Sequence, residues 1–256
     1  METQSLLLLV GAGAAGGMIT ALVGGAAGVT FPALIAAGIP PLQAVACNLT
    51  AAVRGAFLAA LSDRKQLPPF NRDYIEMCLA SMVGAGLGAV LLLATPARFF
   101  EILVPVLLGF ATVLFGFSER ASGWLRARAK RRGHDIKFSI TSLKMLLPVS
   151  FYNGYFGAGS GVLMLGVMSV ATGGDYRSAN VAKNLITSLN CAGAAAVFIA
   201  RGSVVWPQTL ALMAGTIMGG LAGSYLARII PQNIVRVLVV LVGAGLSIAF
   251  ARKYWF

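Results

Sequence analysis

Long apolar runs, punctuated by glycine, proline and charge, organise this chain. The first extends from Ser5 to Ile39 and is interrupted by glycines; Leu42 to Leu61, Tyr74 to Ala94 and Phe99 to Phe117 follow. After a basic stretch comes Phe138 to Thr172, again interrupted by glycines, then Ser178 to Ala200, Pro207 to Ala227 and Asn233 to Phe250. A membrane-crossing helix needs about 20 mainly apolar residues. The pattern therefore predicts roughly eight to ten membrane segments and an all-α integral membrane fold. As one helix, Ser5 to Ile39 would be about 52 Å long at 1.5 Å per residue, against a hydrocarbon core of about 30 Å. A helical hairpin folded at the glycines fits better, and its short second arm, about 11 residues, is compatible with a re-entrant segment.

The second half repeats the order of the first. Gly24-Gly25-Ala26-Ala27-Gly28-Val29 answers Gly157-Ala158-Gly159-Ser160-Gly161-Val162, Asn48-Leu49 answers Asn184-Leu185, and Met82-Val83-Gly84 with Gly88 answers Met213-Ala214-Gly215 with Gly219. The expected organisation is a first membrane repeat over 1–118, a basic connector over 119–137 and a second membrane repeat over 138–256. Each repeat would hold one Gly-broken helical hairpin and three transmembrane helices. A hairpin returns the chain to its starting side, so each repeat makes an odd number of net crossings. The two pseudo-symmetric repeats should then be inverted, as is common in transporters.

Charge adds orientation. The sequence is 58% hydrophobic and only 11% charged, with 20 Lys and Arg against 8 Asp and Glu. Seven of the cations fall in the connector: Arg120, Arg126, Arg128, Lys130, Arg131, Arg132 and Lys137. Such clusters mark cytoplasmic loops facing anionic lipid, and the net charge of +12 is read this way rather than as a nucleic-acid patch. The connector is thus expected to be cytoplasmic, with both termini outside. Trp124 and Leu125 read as an interfacial helix within it. The start, Met-Glu-Thr-Gln-Ser, lacks the basic region of a cleaved signal peptide. The expected location is a plasma membrane, the inner membrane of a bacterium, with a multi-pass topology.

The candidate chemistry is sparse. Cys47, Cys78 and Cys191 have no metal-site spacing and read as packing residues, and His134 is the single histidine; no metal or cofactor is expected. Nucleotide loops, catalytic triads and paired catalytic carboxylates are absent, so the chain does not read as an enzyme.

Three features point elsewhere. The glycine breaks require backbone that is buried in protein or lines a cavity. The helices restarting after them would offer N–H groups and a positive dipole end to an anion, through Gly25 and Gly28 in one half and Ser160 and Gly161 in the other. Close helix packing is the rival reading of those glycines. Arg54 lies inside an apolar run, where an arginine is expected to be functional, on a face with Cys47, Thr50 and Ala51. Snorkelling is its rival reading. Asn180, Lys183, Thr187 and Asn190 form a polar stripe on the matching helix, and aligning Asn48 with Asn184 sets Asn190 opposite Arg54. No Asp or Glu occupies the middle of an apolar run, and cations without carboxylate partners predict an anionic substrate.

The doubled pattern resembles the TauE/SafE family of sulfite and organosulfur-anion exporters. The resemblance is carried by Gly16-Gly17-Met18-Ile19-Thr20-Ala21-Leu22-Val23-Gly24-Gly25-Ala26-Ala27-Gly28-Val29-Thr30-Phe31-Pro32-Ala33-Leu34 with Gly38-Ile39-Pro40, and by Asn153-Gly154-Tyr155-Phe156-Gly157-Ala158-Gly159-Ser160-Gly161-Val162-Leu163. It implies a plasma-membrane permease for sulfite, sulfonates or related anions. The expectation is a small oxyanion held between the repeats, with Arg54 and Lys183 supplying charge. Asn48, Thr50, Asn184, Thr187, Asn190 and the two breaks would supply hydrogen bonds. Export would be driven mainly by membrane potential and the anion gradient. Its partners are the anion and the lipid bilayer, and a homodimer is compatible with the sequence. A permease for another small solute and a non-transporting membrane subunit or scaffold remain alternatives.

Overall fold

The computed structural model describes residues 2–22, 27–68, 71–131, 140–172, 175–226 and 232–255. They form ten α-helices and one 3-10 turn. The first five are α1 (Glu2–Leu22), α2 (Ala27–Ala36), α3 (Pro41–Ser62), α4 (Arg72–Ala94) and α5 (Ala97–Arg131). The second five are α6 (Ile140–Tyr155), α7 (Ser160–Ala171), α8 (Tyr176–Ala200), α9 (Trp206–Leu226) and α10 (Gln232–Trp255). Among the described residues, four segments are long and apolar enough to cross a membrane: Pro41–Ser62, Arg72–Ala94, Ala97–Phe117 and Arg177–Ala200. The chain is a multi-pass membrane protein.

Local chemistry sets the helix ends. Pro41 opens α3, where its missing N–H costs nothing and its φ is already helical. The Asn71 side chain caps α4 by accepting from the Tyr74 N–H at 3.0 Å. Asp175 caps α8, accepting from the Arg177 and Ser178 N–H groups at 3.3 and 3.1 Å, and hydrogen bonds from Ser178 hold its carboxyl below the usual carboxylate range. At 10 and 12 residues, α2 and α7 are only about 15 and 18 Å long. Neither can span the bilayer. One difference from the sequence pattern concerns α5, which runs through Phe117 as far as Arg131. Glu, Arg, Ala and Leu in that stretch are good helix formers, so the start of the basic connector continues the membrane helix. The remainder of the connector, with His134, lies outside the described residues.

Close approaches fix the helix directions. A Cβ on Gly13 would meet the Leu212 carbonyl oxygen, one on Gly17 the Thr216 carbonyl, and one on Gly219 the Ala14 carbonyl. Residue numbers rise together, so α1 and α9 run parallel. The same seam recurs between α4 and α6, where Gly84 lies against Ser150 and Gly88 against the Phe151 carbonyl. Conversely, α5 and α10 are antiparallel: Ser247 Oγ donates to the Pro105 carbonyl at 2.8 Å, while Gly116 faces Val240. α3 and α8 are antiparallel as well. Arg177 pairs with Asp63 at 3.5 Å, Ser188 Oγ donates to the Val53 carbonyl at 2.9 Å, and the Val205 N–H donates to Cys47 Sγ at 3.3 Å. Thus α1, α3, α5 and α9 point one way and α4, α6, α8 and α10 the other. Small residues let backbones touch along these seams. In lipid, where apolar side chains gain little from leaving the solvent, that packing drives association.

The outer faces suit lipid. Leu79, Val83, Leu87 and Val90 are exposed along α4, and Phe99, Ile102, Val106, Phe110, Val113 and Phe117 along α5. Inside, Phe31 of α2 meets Phe156 edge-on at 5.3 Å, and Phe156 in turn meets Phe100 of α5 at 6.2 Å. These rings tie the short helices to the long ones.

Candidate functional site

The break between α6 and α7 is built from glycine and a small set of hydrogen bonds. Gly157 and Gly159 have φ of 83° and 77°, a region that other residues rarely enter. Tyr152 Oη donates to the Ala158 carbonyl at 2.7 Å. Asn153 Nδ2 donates to Ser160 Oγ at 2.6 Å, and that hydroxyl donates to the Gly157 carbonyl at 2.7 Å. The freed backbone is therefore paired within the protein, as a membrane interior demands. The Ser160 hydroxyl is committed to the break.

Beside this break lies a cavity of about 60 Å³ between the two halves of the chain. It is lined by Asn48, Ala52, Gly55, Ala56 and Ala59 of α3, by Lys183, Asn184, Thr187 and Cys191 of α8, and by Ser160 and Gly161 at the start of α7. Gly17 and Thr20 of α1, Ala27 of α2, Asn153 of α6 and Thr216 of α9 complete much of the wall. Thr30 Oγ1 donates to Asn48 Oδ1 at 2.6 Å, which leaves the Asn48 amide NH₂ as its donor. Both short helices thus begin at the cavity, with the N-terminal N–H groups that favour anions.

Lys183 is the residue that gives the cavity its character. Its side chain is 1% exposed, and Nζ has no hydrogen-bond partner among the described residues. Asn184 Oδ1 is likewise buried without a protein partner. The described lining residues include no carboxylate. A buried cation costs several kcal/mol unless it is paired, and this one meets a space flanked by amides and hydroxyls.

The structure brings together Asn48, Ser160, Gly161, Lys183, Asn184 and Thr187 from the sequence-derived set. Other members lie elsewhere. Gly25 falls outside the described residues, and Gly28 sits in α2 with Val239 Cγ1 about 4.0 Å from where its Cβ would be. Thr50 is buried and spends its hydroxyl on the Ala46 carbonyl at 2.7 Å. Asn190 is fully buried against α6, donating from Nδ2 to Ser150 Oγ at 3.1 Å. Arg54 is exposed and is not part of the lining. It shares a face of α3 with the exposed Phe57 and Leu61, at spacings of three and seven residues. Arg54 and Asn190 therefore do not face each other across one space.

The cavity face of α3 is the opposite one, with Ala52, Gly55, Ala56 and Ala59 at helical spacing below Asn48. That small-residue stripe was readable in the sequence, as was Asn153 beside the second break. Thr20 and Thr216 carried no signal, because each is a lone hydroxyl in an apolar run.

Comparison with known proteins bears on what such a cavity serves. A family model described as sulfite exporter TauE/SafE matches residues 9–250. The chain is 30% identical over 233 residues to "Probable membrane transporter protein ORF9" of Sinorhizobium sp, covering 91% of this chain and 87% of that protein. It is 24% identical over 236 residues to a "Probable membrane transporter protein" of Haemophilus influenzae, covering 92% and 90%. With "Probable membrane transporter protein YfcA" of Escherichia coli K12 it shares 25% identity over 232 residues, covering 90% and 84%. No solved structure matches.

Proposed function

The chain belongs to the sulfite exporter TauE/SafE family, a family of membrane transporters, and from that premise we propose that it exports small oxyanions such as sulfite or organosulfonates through the cavity at Lys183. The observation that carries this reading is the Lys183 side chain, buried and without an acceptor among the described residues. An oxyanion would pair with it and accept from the Asn48 amide, the Thr187 hydroxyl and the N-terminal turn of α7. The opposite directions of α1 and α6, α3 and α8, α4 and α9, and α5 and α10 support reading the two halves as inverted repeats. The binding site then sits at their interface, near the middle of the bilayer. The location is a bacterial inner membrane, with the basic connector on the cytoplasmic side.

Transport is electrogenic in this reading, because no intramembrane carboxylate offers a proton relay. Each exported negative charge gains about 2.3 kcal/mol per 100 mV, inside negative. The test is flux into and out of proteoliposomes holding the purified protein alone, with potential and pH gradient set independently by ionophores. Sulfite or sulfonate flux that follows the imposed potential is the expected result. Flux that follows only the pH gradient would replace electrogenic export with proton coupling. Absence of anion flux would leave another small solute or a non-transporting subunit.

A further inference from the structure

We infer that the cavity selects its occupant by charge, accepting monoanions and rejecting both neutral molecules and dianions of the same shape. This rests on reading the cavity as an oxyanion site and narrows its substrate class.

Charge within reach of the cavity decides the selection. Lys183 is the one basic side chain among the described lining residues; Cys191, the other titratable side chain there, is a buried thiol. Among the described residues, the helices around the cavity bring no second cation into its lining. Arg54 lies on the far face of α3, and Lys144 of α6 is exposed near its helix start. Arg177 of α8 is engaged with Asp63 at 3.5 Å and is not part of the lining. The described lining residues include no carboxylate either. Glu2 and Asp63 bracket the first three helices, and between residues 138 and 226 the sequence has only Asp175, which caps α8. The remaining wall is largely Ala and Gly with amides and hydroxyls, which can orient an anion without neutralising it.

A monoanion beside Lys183 makes a neutral buried pair. A dianion leaves one uncompensated negative charge in a cavity of about 60 Å³, and a neutral molecule leaves the ammonium unpaired. Each imbalance is penalised by the cost of burying a net charge. Among sulfur oxyanions, the species admitted are hydrogensulfite and monosulfonates, and those refused are the sulfite and sulfate dianions.

Dimethyl sulfone, methanesulfonate and sulfate have a tetrahedral sulfur and nearly equal size, and carry no charge, one and two. Their binding to the full-length protein in nanodiscs is measured by titration calorimetry at one pH and ionic strength. Methanesulfonate should bind at least about 100-fold more tightly than either neighbour, the scale expected when one buried charge goes unpaired. In Lys183→Met its affinity should fall to that of the sulfone or below. Sulfate binding as tightly as methanesulfonate would overturn charge selection while leaving the oxyanion site standing. Sulfone binding as tightly as methanesulfonate, or no binding by any of the three, would overturn the oxyanion site and this inference with it.

Discussion

α3 and α8, the third helices of the first and second five, pack antiparallel against each other, and each carries a basic residue inside an apolar stretch. Their outcomes differ. Lys183 is buried at the cavity without an acceptor among the described residues, whereas Arg54 is exposed on a face shared with Phe57 and Leu61. Depth along the helix is similar for the two, so rotation about the axis decides. A residue's neighbours on the helix surface lie three and four positions away. The neighbours of Lys183 include Asn180 and Thr187, and Thr187 continues the polar surface into the cavity wall. Those of Arg54 are Phe57 and Leu58. Apart from Leu49, the cavity face of α3 instead carries only small side chains beyond Asn48. One helix thus supplies charge and the other supplies room.

The strongest way to break this contrast is to remove the buried charge. Lys183→Ala should reduce sulfite or sulfonate flux by at least about 100-fold, the scale of a lost buried ionic contact. The protein should still insert, since no protein group relies on Nζ for a hydrogen bond. Flux in proteoliposomes together with gel filtration of the variant would separate loss of function from misfolding. Undiminished flux would move the anion site away from α8.

The second test acts on the break that faces Lys183. Gly157 has φ of 83°, and a Cβ there would stand 2.8 Å from Leu49 Cδ2 on α3. Left-handed backbone costs an L-residue roughly 1–2 kcal/mol, before the contact with Leu49 is counted. Gly157→Ala should lower thermal stability and reduce flux by about 10-fold. A melting curve of the purified variant checks the first, and flux corrected for folded protein checks the second. An unchanged melting temperature would mean that the break tolerates another backbone conformation.

Much of this architecture was legible in the sequence. Apolar run lengths reveal the helices because a bilayer fixes how long a crossing must be. The glycine-rich stretches mark the places where helices stop, and the short arms after them appear as α2 and α7. Lys183 and Thr187 were visible in a polar stripe with Asn180 and Asn190, and Asn48 and Asn184 as matching amides. Three things were hidden for physical reasons. The phase of α3 depends on which neighbours cover it, so Arg54 could not be assigned to a face from its own run. Thr50 and Asn190 look like ligand groups, but a nearby backbone carbonyl and Ser150 respectively take up their donors. Thr20 and Thr216 reach the wall only through the packing of α1 on α9.

The smallest effect is expected at Arg54, where the sequence alone suggested a large one. Its guanidinium stands outside the cavity lining, and an exposed arginine on a membrane helix satisfies its charge by reaching toward headgroups. Arg54→Ala should therefore change anion flux by less than about 3-fold, which corresponds to under about 1 kcal/mol. Arg54→Lys should match the parent, because snorkelling asks for a long cationic chain rather than for a planar fork. Both variants are compared with the parent at equal reconstituted amounts and with methanesulfonate binding as a second readout. A loss of binding in Arg54→Ala of about 100-fold, partly restored by Lys, would place an anion contact on the outer face of α3. The contrast between the two helices would then be one of two working cations rather than of one cation and one packing surface.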